Sequence, residues 1–194
     1  SNEQKINGLN LSPYQKRVML ETRMVGGHRL YDDLIKVPLI LSGVNIPSNK
    51  KITQQVRNVD IFPTIEDVLS LPKKNDVDGE SLLPLINNKK IHENPAYIES
   101  PPAVKEEHVK KKIIGIRTSS YKMLKQADSG DVVELYDLVN DPLEEENIVS
   151  SHPELIKEME SELEKIMSSK KITTTENKVD LDKIEKELEK LGYS

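Results

Sequence analysis

The stretch "IIGIRTSSYKMLKQ", residues 113–126, decides the fold: two short strand-forming runs flank the turn pair Ser119-Ser120. Tight turns join antiparallel neighbours, whereas parallel strands need a crossover of a dozen or so residues. Working outward, "AYIES" (96–100) supplies a strand before it and "VVELYDLVND" (132–141) one after it, with Asp128-Ser129-Gly130 as the connecting turn. The pattern predicts a small antiparallel sheet. Ser151 and Glu154 make a capping box ahead of Leu155, Ile156, Met159, Leu163, Ile166 and Met167, the stripe of an amphipathic helix near 152–168. After the polar linker "SSKKITTTENK", a second helix is expected around Leu181, Ile184, Leu188 and Leu191, with Gly192 as its C-cap.

The first half reads differently. Val37 to Leu41, "VPLIL", is a continuous apolar run, the pattern of a strand covered on both faces in a parallel sheet. A short helix is expected from Pro13 toward Met24. Another should span about 62–71, where Pro63 suits a first turn, Ile65, Val68 and Leu69 recur at helical spacing, and Pro72 stops the element. Asp78-Gly79 reads as a turn before the apolar cluster Leu82, Leu83, Leu85 and Ile86. The expected class is therefore α/β, the tail of an α/β layer joined to a small C-terminal antiparallel sheet packed with helices. Residues 1–25 are read as a partial N-terminal segment, 26–90 as the α/β part and 91–194 as the C-terminal subdomain.

Composition narrows the partners. The 194 residues carry 28 Lys and Arg against 33 Asp and Glu, a net charge of -5 with both signs interspersed, which does not suit nucleic acid. No apolar stretch of about 18 residues is present, so no transmembrane helix is expected, and the first residues lack the pattern of a signal peptide. Ser1-Asn2, with no Met, resembles a tag remnant, so the natural N-terminus is expected to lie upstream. Zero cysteines exclude disulfides, a thiol nucleophile and a zinc-thiolate site without fixing the compartment.

The polar chemistry gathers at the mouth of the apolar run, in "GGHRLYDDLIKVPLILSG", residues 26–43. Loops that feed a rigid strand are where binding groups are positioned. Taken in order, "LYDDLIKVPLIL", "VRNVDIFPTIEDVLSL", "DVDGESLLPLI", "YIES", "IRTSSYKML", "ELYDLVNDPLEEENI" and "KELEKLGY" resemble the C-terminal portion of sulfatases, in the alkaline phosphatase superfamily. The resemblance covers about residues 26 to 194. It implies an alkaline phosphatase-like α/β core and a parent hydrolase of sulfate esters. Such enzymes use a formylglycine made within C/S-x-P-S/A-x-R beside a divalent cation of the calcium type, both supplied mostly by the N-terminal half. This chain alone is therefore expected to be inactive and to hold no cofactor. A phosphatase or phosphodiesterase of the same superfamily, or a noncatalytic interaction module, is the alternative. Truncation beside Val37–Leu41 would expose a sheet edge, so association with a second copy is expected.

Within the resemblance, His28 and Arg29 are the candidate catalytic residues. Many relatives place a Lys, often beside a His, just before the Leu-Tyr stretch, where it meets the sulfate and leaving-group oxygen; here Gly27 stands at the lysine position. His28, with Arg29 as second choice, would supply the missing donor, Gly26 and Gly27 letting the backbone approach the anion. The alternative is that these basic side chains pair with Asp32 or Asp33. Leu30 and Tyr31 are expected to pack. "SPPAVK", Ser100 to Lys105, mimics the formylglycine motif but reads as a Pro-rich loop. Asp137, Asp141, Glu144, Glu145 and Glu146 read as solvated surface. Lys105, Lys110, Lys111, Lys112, Arg117, Lys122 and Lys125 read as an exposed strand face. His92, His108 and His152 lack metal-ligand spacing.

Overall fold

Strand formers punctuated by turns fold as their spacing dictates in the computed structural model, which describes residues 6, 8–21, 30–43, 46–74, 77–100 and 112–169. Strands β1 (Ala96–Glu99), β2 (Ile113–Arg117), β3 (Tyr121–Gln126) and β4 (Val132–Asp137) form one antiparallel sheet in sequence order. The helices are α1 (Pro13–Glu21), α2 (Asp32–Ile35), α3 (Ile61–Val68), α4 (Leu83–Ile86) and α5 (Pro153–Ser169). This is the expected mixture of helices with a small antiparallel sheet, and the strand and α5 boundaries fall within a residue or so of the sequence reading, apart from β4, which ends before the turn. The predicted helix over 181–192 lies outside the described residues.

Register explains which face is the core. Ile116 sits opposite Met123, and Met123 opposite Leu135, so these side chains share a face with Ile114. Met159 and Leu163 of α5 close over them, leaving Met123 and Leu135 without solvent exposure. Lys125, on the same face, reaches Glu160 of α5 at 2.7 Å. On the opposite face the register sets Arg117, Lys122 and Tyr136 in one row. That face is buried too, beneath residues 30–32 and the loop at 141–145.

A second knot joins α3 to the segment before α4. The buried carboxylate of Asp60 accepts from the Arg57 guanidinium at 2.7 Å and from the Glu80 amide at 2.9 Å. Thr64 donates its hydroxyl to the Asp60 carbonyl at 2.5 Å and accepts from the Leu82 amide at 2.8 Å. Gly79 is required where these segments cross: a Cβ there would lie 1.9 Å from the Val59 carbonyl oxygen.

One expectation is overturned. Residues 36–42 form neither strand nor helix, so the parallel-sheet piece assigned to "VPLIL" is not built. The run is apolar, yet Val37 is 63% and Ile40 86% exposed. A buried strand needs partners on its edges, and no described strand pairs with this run.

Candidate functional site

The row on the second sheet face is the start of a buried charged cluster. Lys122, whose side chain is fully enclosed, directs its ammonium to three oxygens: the Leu30 carbonyl at 3.0 Å, Asp32 Oδ1 at 2.7 Å and Glu144 Oε1 at 2.5 Å. An ammonium has three donors, so its capacity is used completely. Arg117 grips Asp32 with two parallel bonds, Nε to Oδ1 at 2.8 Å and Nη2 to Oδ2 at 2.5 Å, and donates from Nη1 to Gln55. Glu144 uses its other oxygen to accept the Asp32 backbone amide at 2.7 Å. Two cations thus face two carboxylates, and the set is neutral.

The surroundings reinforce it. Arg17 of α1 donates to the carbonyls of Glu144 and Leu143, and its guanidinium lies 3.7 Å from the centroid of the Tyr31 ring. Tyr31 in turn meets Tyr136 with ring centroids 6.3 Å apart. Burial, with the charge of Glu134 nearby, pushes the Tyr31 phenol up to about 12. Leu30 is buried as expected, and Tyr31 is half-buried between these rings.

Asp32 makes the electrostatics measurable. Burial would raise its carboxyl, but hydrogen bonds from Arg117 and Lys122 reverse this and hold it at about 2, against an ordinary 3.8. A depressed folded-state value contributes stability that is present above the unfolded value and lost as pH falls through the folded one. Wild-type stability should therefore drop between pH 3.8 and about 2 by an Asp32 contribution of roughly 2 kcal/mol. Asp32→Asn should flatten that part of the curve in acid titrations followed by denaturant unfolding; an unchanged slope would contradict the assignment.

Surface assignments need correction on both faces of the sheet: Lys125, partly buried, turns to the α5 side and bonds Glu160, and three more fail on the opposite side. Arg117, Lys122 and Glu144 were expected on solvated faces, and all three are buried, because residues 30–32 and 141–145 cover the side of the sheet that α5 does not. Asp137 and Asp141 do serve the turn, accepting the Val139 and Asn140 amides and the Glu145 and Glu146 amides respectively. His28, Arg29 and most of "SPPAVK" lie outside the described residues. The carboxylate of Asp32, a suggested partner for those basic side chains, is already held by Arg117 and Lys122.

Beside the quartet runs a cleft of about 720 Å³ whose walls include Val37, Leu39, Ile52, Ile86 and Ile98. Of its cations, Lys50 bonds the Leu85 and Ile86 carbonyls, Arg57 bonds Asp60 and Arg117 bonds Asp32, while Lys36 also lines the wall. The aliphatic walls give the cleft the character of a seat for apolar chain. Among the described residues no group of three or more His, Cys, Asp or Glu converges as metal ligands.

Comparison with known proteins agrees with the motif order. The family model described as N-sulphoglucosamine sulphohydrolase, C-terminal, matches residues 16–170. Arylsulfatase K of Canis lupus familiaris is 28% identical over 161 residues, covering 80% of this chain and 30% of that protein. Arylsulfatase K of Homo sapiens is 25% identical over 180 residues, covering 90% of this chain and 34% of its own length. The chain thus spans about a third of the curated relatives it matches. A solved structure described as a 2-O GAG sulfatase superposes with a TM-score of 0.50 at 21% identity, over 57% of this chain and 24% of that one. At that identity the likeness concerns the fold alone. The long match to the family model carries membership: the chain belongs to the N-sulphoglucosamine sulphohydrolase C-terminal family, and with it to the sulfatases.

Proposed function

We propose that this chain is the C-terminal part of a hydrolase of sulfate esters and works only against the remainder of that enzyme. The observation that carries the reading is the family match across residues 16–170 in a chain about a third as long as its relatives. The apolar cleft and the exposed 37–41 run support it, since that much unsatisfied surface marks an interface. In this reading His28, with Arg29 as second choice, donates hydrogen bonds to the sulfate or the departing oxygen and offsets the negative charge that develops there. Gly26 and Gly27 leave room for the anion. The family likeness implies a divalent cation in the complete enzyme. In this reading the chain's contribution is to orient and neutralise the ester.

The test compares the full-length protein with the 194-residue chain on a chromogenic aryl sulfate, with an aryl phosphate and N-sulphoglucosamine in parallel. Sulfate release by the full-length protein and none by the isolated chain is the expected result. Preference for the phosphate would favour a phosphatase, and turnover by the isolated chain would sink the division of labour. Light scattering should show the isolated chain associating through its uncovered apolar run; a strictly monomeric mass counts against that part.

A further inference from the structure

We propose that the outward side of α3 is an interface, covered in the complete enzyme by an apolar, uncharged face of the remaining polypeptide. The inference rests on the reading that this chain works against the rest of a longer enzyme, and deepens it. A surface helix ordinarily buries its apolar stripe and shows its polar residues to water. The helix α3 does the reverse. Thr64 and Glu66 are buried, as is Asp60 immediately before it, whereas Val59, Phe62, Ile65 and Leu69, at the spacing of one helix face, are exposed, Ile65 by 47% and Leu69 by 61%. The inward polar side is fixed: the Asp60 carboxylate accepts from Arg57 and from the Glu80 amide, and the Thr64 hydroxyl accepts from the Leu82 amide. Turning the helix to bury its stripe against this chain would break these bonds, and buried groups left unpaired are costly. Val59 also lines the cleft walled by Val37 and Leu39, so stripe, cleft and apolar run are parts of one surface. A contiguous patch of this kind, with four uncharged residues in its helical part, marks a permanent interface more than an exchangeable partner. The chain spans about a third of its curated relatives, so two-thirds of such a polypeptide is available to supply the cover.

The sequence has no cysteine, so an introduced thiol reports on its own position. Ile65→Cys and Leu69→Cys are the probes, since the Phe62 ring already has the Lys74 ammonium 5.4 Å from its centroid. Val139→Cys, at a position 66% exposed in the turn after β4, is the control. Maleimide labelling is read peptide by peptide by mass spectrometry, in the 194-residue chain at high dilution and in the full-length protein. Both probes should react as fast as the control in the dilute chain and about 100-fold or more slowly in the full-length protein, where reaction waits on local opening. Equal rates in the two proteins overturn the proposal, and so does equal protection of the control. Protection of the full-length protein that appears only on concentrating it assigns the face to a second copy and overturns the proposal as well. Ile65→Asp gives an independent reading: the urea midpoint of the full-length protein should fall while that of the isolated chain stays nearly unchanged, and no fall in the full-length protein counts against the cover. Neither readout needs a substrate. Sulfate release with unprotected probes sinks this inference alone, and protected probes without ester cleavage sink only the assigned activity.

Discussion

Full-length protein carrying His28→Ala is expected to turn over an aryl sulfate about 100- to 1000-fold more slowly than wild type, the loss typical of removing one donor aimed at developing charge. The expectation follows from position. Residues 26–29 precede a segment whose next side chains are anchored, Leu30 in the core and Asp32 by Arg117 and Lys122. With Asp32 committed to other cations, the basic pair is also less in demand as an internal salt-bridge partner. Arg29→Ala, measured separately, ranks the two. If both variants fold and keep near-normal rates, the glycine-flanked loop is structural and the assignment fails.

Lys122→Met alone should destabilise the chain by about 3–5 kcal/mol, the usual consequence of stripping one partner from a buried ion pair. Asp32 would keep Arg117, but Glu144, 3% exposed, would be left with a buried charge and no cation. Total stabilities are about 5–15 kcal/mol, so the loss should be evident in any denaturant titration. Replacing Glu144 by Leu in the same molecule restores neutrality and should recover most of it. A single-variant loss below about 1 kcal/mol would mean that water reaches the cluster. The contrast between the single and double replacements separates the cost of an unpaired charge from the value of the arrangement.

The sheet and α5 were legible because local signals sufficed. Turn pairs set the strands, and the apolar stripe of α5 matches the face formed by Ile114, Ile116, Met123 and Leu135. Lys122 and Glu144 were misread for a physical reason. Alternation along "YKMLKQ" shows that Lys122 and Met123 face opposite ways, but not that both sides are covered. The covering segment lies 92 residues upstream at Leu30. Nothing local marks a lysine as buried when its three acceptors come from two separate stretches, at 30–32 and at 144. The same limit misled the reading of Val37–Leu41: an apolar run announces burial, while its strand neighbours must come from elsewhere.

The sequential order of the four strands also has a kinetic meaning. The β2–β3 and β3–β4 turns close short loops, so the sheet can form early from nearest neighbours. The ties from Asp32 to Arg117 and Glu144 span 85 and 112 residues, and closing such loops comes late. Interactions made after the folding barrier act on the escape rate from the native state. Weakening the quartet should therefore leave refolding nearly as fast as before and shorten the lifetime of the folded molecule.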